Sequence, residues 1–326
     1  MRDPQALPSV RLIQLESALG GQIPTSAKDL RSLRVEEFLQ ARSLSLNSQK
    51  VYRRELARFL NWTDRPLGEI TPRQIVQFKV HLREQRLAVA SINRALAALK
   101  SFFKWLSQAY PTLVERNPAP SVSLEKLPLP PPRDLSPQEL GALYEALAYR
   151  GETQVRDTAV LSMLGHGLRA SEVCSLNVED YDGVRLTIRQ AKDDSTGTVP
   201  LAEAARSDLD HYLSWRQEQG ELLQPHLPLF VTQGHRNPGE RLGYKGLYYI
   251  IKDLGAIAGI DQLTPHRLRH TYATGLLLRG MDSLHARTLT RHKSEVTFQR
   301  YAKRAKAAAA EQAFYAAIGE EAPAAN

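Results

Sequence analysis

The run Thr264-Pro265-His266-Arg267-Leu268-Arg269-His270 is the densest group of chemically competent side chains in the sequence. Thr264 and Pro265 read as the N-cap and first residue of a helix. His266 and Arg269 then share one face, one turn apart, near the end where the helix dipole favours an anion. A guanidinium fork can bind two oxygens of a phosphate while an adjacent imidazole moves a proton. Taken alone, the same residues also fit a capped, solvated helix start.

Three further segments offer partners for that chemistry. Gly165-His166-Gly167-Leu168-Arg169-Ala170-Ser171-Glu172 sets Arg169 after a glycine-containing turn at a helix start. Lys192 sits at the tip of a predicted hairpin, and the run Leu289 to Tyr301, LTRHKSEVTFQRY, supplies His292 and, nine residues later, a tyrosine in a basic helix. Each has a plain structural reading as well: Arg169 pairs with Glu172, Lys192 solubilises a turn, and Tyr301 packs like most of the 12 tyrosines.

The elements that must position these groups fall on either side of a proline boundary. Eight of the 19 prolines lie between Pro111 and Pro137, ending in LPLPPPRDLSP, which cannot continue a helix and marks a linker at 119–134. Upstream, Ile92, Leu96, Leu99, Phe103 and Leu106 recur at helical spacing with Arg94, Lys100 and Lys104 largely off the stripe. Similar patterns around Tyr52, after Thr71-Pro72 and over 28–42 predict a four-helix domain at 25–118, preceded by a tail at 1–24. Downstream, Ser136-Pro137-Gln138-Glu139 opens a new domain, 135–326, with a capping box. Helices are expected there at 138–149, 153–165, 202–218, 243–257, 265–279 and 294–317. Short strands are expected at Val184 to Gln190 and Thr198 to Leu201.

Charge narrows the function. The net charge is +8, and residues 41–110 and 241–310 each hold 13 Lys/Arg against 4 Asp/Glu. Two basic blocks suit a polyanion, although helical bundles also carry solvated basic faces. The single cysteine, Cys174, excludes an internal disulfide and a cysteine-based zinc cluster. The N-terminus lacks an apolar leader and no stretch approaches a membrane span, so a soluble cytoplasmic protein is expected, with no membrane partner.

In this order, Arg169, Lys192, His266-x-x-Arg269, His292 and Tyr301 resemble the catalytic set of the tyrosine recombinases, the phage integrase family, in its Xer-like branch. GLRASEV, HRLRHTYAT and RHKSEVTFQRY resemble the family's text around those residues. The resemblance implies a mainly α fold with a small β-sheet: an N-terminal four-helix core-binding (SAM-like) domain and a mixed α/β catalytic domain.

It also implies roles. Tyr301 would attack the scissile phosphate of duplex DNA to give a 3'-phosphotyrosine, with Arg169 and Arg269 clamping the non-bridging oxygens and His292 donating a further hydrogen bond. His266 would accept the phenolic proton and Lys192 would protonate the departing 5' oxygen. No metal or other cofactor is expected. The implied partners are a specific DNA target site and a homo-oligomer, a tetramer on two DNA sites, built through the C-terminal helix, or a hetero-oligomer with a second recombinase. Lys50, Arg53, Arg54, Arg94 and Lys100 are the expected DNA contacts of the first domain.

The sequence departs from the family's usual text at several points. Arg291 precedes His292 where Gly is frequent, Gly275 stands where His is frequent, and Thr198 where a basic residue is frequent. Ala191 and Asp193-Asp194 flank Lys192 in place of glycines, and such carboxylates favour the charged ammonium. Competing readings are a weakly active or inactive DNA-binding relative of the recombinases, a type IB topoisomerase, and a metal hydrolase using His266, His270 and His292. Against the last, Arg267 and Arg269 lie between two of those histidines and repel a cation.

Overall fold

A computed structural model describes residues 27–126, 134–189, 196–234, 237–292 and 295–320, and the chain divides into two compact units, Met1–Pro130 and Pro131–Asn326. Among the described residues, the first unit holds four α-helices, α1 (Ala27–Gln40), α2 (Leu46–Trp62), α3 (Pro72–Glu84) and α4 (Val89–Ala109). Local sequence sets their starts. The Ser45 hydroxyl accepts from the Ser48 N–H at the head of α2, and Thr71 and Gln74 form a capping box around Pro72 at the head of α3. The apolar stripe predicted for α4 is buried, and Phe59, Phe78 and Phe103 interlock edge to face, with Phe59 and Phe78 ring centres 5.1 Å apart. Each such buried ring contributes about 1.5–3 kcal/mol, as does each of the buried aliphatic side chains packed around it. Ala119 and Val122 belong to this core, and Asn93 on α4 exchanges two hydrogen bonds with the Glu125 backbone, so the segment expected as linker begins packed on the first unit.

The second unit begins where Ser136 and Glu139 cap α5 (Pro137–Glu145). The α-helix expected to reach 149 tightens instead into a 3₁₀ segment, Ala146–Thr153, which contains Gly151 at a φ of 54°. Next come α6 (Gln154–Gly165), α7 (Ala170–Ser175), the strands β1 (Arg185–Ile188) and β2 (Gly197–Pro200), and the helices α8 (Glu203–Glu218) and α9 (Tyr244–Ile257). The chain ends in α10 (Pro265–Leu278), α11 (Ser283–Leu289) and α12 (Glu295–Ile318). The strands pair antiparallel, Arg185 opposite Pro200 and Ile188 opposite Gly197; β1 is shorter than expected and β2 has the expected length, shifted by one residue.

Helix α6 is the axis of this unit: Ala159, Val160, Leu161, Met163 and Leu164 are all buried, and α8 and α10 pack against it. Helix α10 also packs against α11 and α12. The turn after α6, the first turns of α10 and the turn between α11 and α12 are thereby held together. Among the described residues no helix is long and apolar enough to cross a membrane.

Candidate active site

Gly167 starts the site. Its φ is 80°, and a Cβ there would run into the Tyr272 ring, so glycine is required on both counts. Its carbonyl accepts a hydrogen bond from the Arg269 guanidinium. Two residues on, Arg169 forms the N-cap of α7: its backbone N–H donates to Glu172 Oε2 at 2.8 Å and its guanidinium meets Glu172 Oε1 at 2.5 Å. Its Nη2 donates to the Arg291 carbonyl at 2.8 Å.

Arg269 arrives from the first turns of α10, whose N-cap Thr264 accepts from the Arg267 N–H. Arg269 is fully buried, donates to the Thr290 carbonyl as well as to Gly167, and lies 3.9 Å from Glu172. Arg291 adds a third guanidinium, with Nη2 2.6 Å from Glu172 Oε2. Three guanidiniums therefore surround a single carboxylate that is 1% exposed. Burial alone would raise the pKa of Glu172, but the charge of Arg291, the Arg169 N–H and the Arg291 hydrogen bond outweigh it and hold the value below normal. Three cations against one anion leave an excess of positive charge in a partly dehydrated place, which is an anion receptor. Arg267 points elsewhere, to Glu139 at 2.8 Å.

Beside the cations lies a chain of rings. The centroids of His266 and His270 are 4.2 Å apart, those of His270 and Tyr301 5.0 Å, and those of His292 and Tyr301 5.5 Å. Tyr301, 5% exposed, packs with Ala273, Ala286 and Phe298, and its phenol is close enough to Arg269 to act on that residue's charge. His292 Nδ1 lies 2.7 Å from the Thr290 hydroxyl. Burial first, then the charges of Arg269 and Arg169, lower His292 to about 3. The same causes in the same order lower His266, which is exposed along one edge. Both imidazoles are neutral at pH 7.

Of the six expected catalytic residues, Arg169, His266, Arg269, His292 and Tyr301 are brought together, while Lys192 lies outside the described residues. A Cβ at Gly197 would lie 3.6 Å from Cδ of Arg291. Sequence reasoning missed Glu172 as the centre of the cation cluster, together with Arg291, His270 and Thr290. The spacings Arg169 to Glu172 and His266 to His270 were the available signals.

In the first unit, Arg54, Arg94 and Arg58 gather on Glu55 at 2.8, 2.9 and 2.7 Å. Arg53 pairs instead with Glu36, Lys100 reaches the Pro120 carbonyl at 3.5 Å, and Lys50 is exposed. Arg54 and Arg58 line a concavity of about 500 Å³ with Asn61, Trp62, His81 and Gln85.

Comparison with known proteins agrees with this architecture. Residues 32–110 match the N-terminal SAM-like domain of phage integrases, and residues 133–308 match the phage integrase family. The chain belongs to the phage integrase family, a class of enzymes that cleave and rejoin DNA. It is 32% identical over 282 residues to tyrosine recombinase XerA of Pyrococcus furiosus, covering 85% of this chain and 91% of the relative. It is likewise 32% identical over 283 residues to tyrosine recombinase XerC of Roseiflexus sp., covering 82% of this chain and 88% of that one. A crystal structure of the XerH site-specific recombinase bound to a palindromic difH substrate shares the fold at 20% identity. Its TM-score is 0.67, and the match covers 93% of each chain.

Proposed function

We propose that this chain is an Xer-like site-specific recombinase that cuts and rejoins duplex DNA through a 3'-phosphotyrosine formed on Tyr301. The observation that carries the reading is a phenol packed between the His270 and His292 rings, with His266 against His270, beside an excess of guanidinium charge. Strand exchange without an external energy source must keep the phosphodiester energy in a covalent bond, and a tyrosyl ester does so.

In the forward step the Tyr301 oxygen bonds to phosphorus, the bond to the 5' oxygen breaks, and the phenolic proton passes to His266. An ordinary phenol titrates near pH ~10, so attack at neutral pH needs such an acceptor. Arg169 and Arg269 stabilise the charge of the pentacoordinate transition state, a term whose loss costs about 100- to 1000-fold per donor in comparable sites. His292 donates a further hydrogen bond to the same phosphate. Lys192 supplies the proton for the departing 5' hydroxyl, with Asp193 and Asp194 favouring its charged form until DNA displaces them. Ligation reverses each transfer.

The domain reading assigns 25–118 to DNA core binding, 119–134 to a linker and 135–326 to catalysis. Lys50, Arg53, Arg54, Arg94 and Lys100 meet the DNA backbone. Assembly into a tetramer on two sites draws on α12, whose Phe314 and Ile318 are exposed. The enzyme works in the cytoplasm.

Incubating the protein with a nicked suicide duplex in EDTA and separating products on a denaturing gel tests the reading. The parent chain gives a covalent protein–DNA band, and Tyr301→Phe binds the duplex but gives none. A covalent band from Tyr301→Phe would remove Tyr301 from the role. No band from the parent would favour the DNA-binding relative without catalysis.

A further inference from the structure

Arg291 holds a φ of 51°, in the left-handed region where a side chain with a Cβ is strained and glycine is not. Its side chain is nonetheless buried and committed. Nη2 binds Glu172 Oε2 at 2.6 Å, Nη1 donates to the Leu289 carbonyl at 3.0 Å, and Nε finds no hydrogen-bond partner among the described residues. A strained, incompletely satisfied cation persists where its surroundings over-determine it.

The determining contact is Glu172. One of its oxygens serves Arg291 and the Arg169 N–H, while the other is left to the Arg169 guanidinium. The Arg291 carbonyl meanwhile accepts from Arg169 Nη2, and the preceding carbonyl, Thr290, accepts from Arg269. Arg291 thus touches the supports of both phosphate-facing arginines from two directions, side chain and backbone.

We propose that Arg291 is a positioning residue for strand cleavage: acting through Glu172, it fixes the carboxylate that orients Arg169 and Arg269. This inference rests on the recombinase reading above. The charged groups facing Glu172 are Arg169 at the head of its own helix, Arg269 from α10 and Arg291 from the turn before α12. Removing Arg291 leaves the carboxylate with weaker compensation for its burial, so its pKa rises.

Arg291→Gly is the informative variant because it deletes the guanidinium, relaxes the backbone and keeps the carbonyl used by Arg169. In single-turnover cleavage of the suicide duplex it slows the reaction roughly 10- to 100-fold, a range set by small misplacements of catalytic groups. Binding measured by mobility shift is unchanged. Arg291→Lys recovers part of the rate. Combined with Glu172→Gln, Arg291→Gly is no slower than the slower single variant, because both act through one contact. Parent-like cleavage by Arg291→Gly, or single effects that multiply in the double variant, overturns the proposal.

A second readout does not depend on catalysis. In spectra of glutamate labelled with ¹³C at Cδ, with Glu172→Gln assigning the signal, Glu172 titrates at higher pH in Arg291→Gly than in the parent. An unmoved midpoint overturns the contact even in a chain that does not cleave. A silent parent in the cleavage assay counts against the recombinase reading and leaves the spectra to decide this one.

Discussion

Each unit gathers three arginines on one buried glutamate, and the two clusters differ chiefly in how much water reaches the cations. On Glu55 the side chains of Arg54, Arg58 and Arg94 are 57%, 33% and 43% exposed. On Glu172 those of Arg169, Arg269 and Arg291 are 26%, 2% and 5% exposed. At 4 Å a unit charge pair is worth about 1 kcal/mol in bulk water and about 4 kcal/mol at an effective dielectric constant near 20. The same side chains therefore make a wet, screened cluster in one unit and a dry cluster in the other, where each charge acts more strongly. The carboxylates play matching parts: each lets cations gather that would otherwise repel.

The largest expected break in this comparison comes from Arg269→Ala. It removes a buried donor and leaves the Gly167 and Thr290 carbonyls unpaired, so cleavage of the suicide duplex falls about 100- to 1000-fold while DNA binding changes little. A variant that cleaves at the parent rate would mean that the buried cluster is only structural.

The contrast also explains which parts of the molecule were legible in sequence. Arg169 with Glu172, and His266 with Arg269, are spaced for one helix turn, so local periodicity put the members of each pair within reach of one another. The contact of Arg291 with Glu172 spans 119 residues and depends on a left-handed turn, neither of which periodicity can register. The long helices were found because the stripe of α4 repeats through several turns. Helix α11, seven residues long, was missed because it is too short to show a period, and only its cap, Asp282, accepting from the Leu284 and His285 N–H groups, announces it. The α-helix expected to 149 stops at Glu145, where the next turns are 3₁₀ and Gly151 takes the chain out of helical geometry.

A smaller effect follows from the depressed pKa of His292. Its imidazole is neutral when folded down to about pH 3, whereas the unfolded chain takes up a proton near pH ~6.5. Below that value the unfolded state binds more protons, so stability falls as pH falls from about 6.5 towards 3, by at most about 1.4 kcal/mol per pH unit from this group. Urea melts of the parent and His292→Asn at pH 7, 6, 5 and 4 check the sign: the variant's midpoint declines less steeply. Parallel declines would show that burial and the neighbouring guanidiniums do not depress the His292 imidazole.

The smallest effect belongs to the exposed cluster. Arg94 touches Glu55 through Nε at 2.9 Å and keeps much of its guanidinium in water, where counterions already screen it. Arg94→Ala therefore weakens binding to every duplex by a similar few-fold factor, and the slope of log affinity against log salt falls by about 1, the signature of one lost phosphate contact. Cleavage of duplex already bound proceeds at the parent rate, because nothing in the Glu172 cluster depends on Arg94. If Arg94→Ala instead slowed cleavage at saturating protein with the salt slope unchanged, the division of labour between wet and dry arginines would be wrong, and the Glu55 cluster would have to be counted among the groups that shape the transition state.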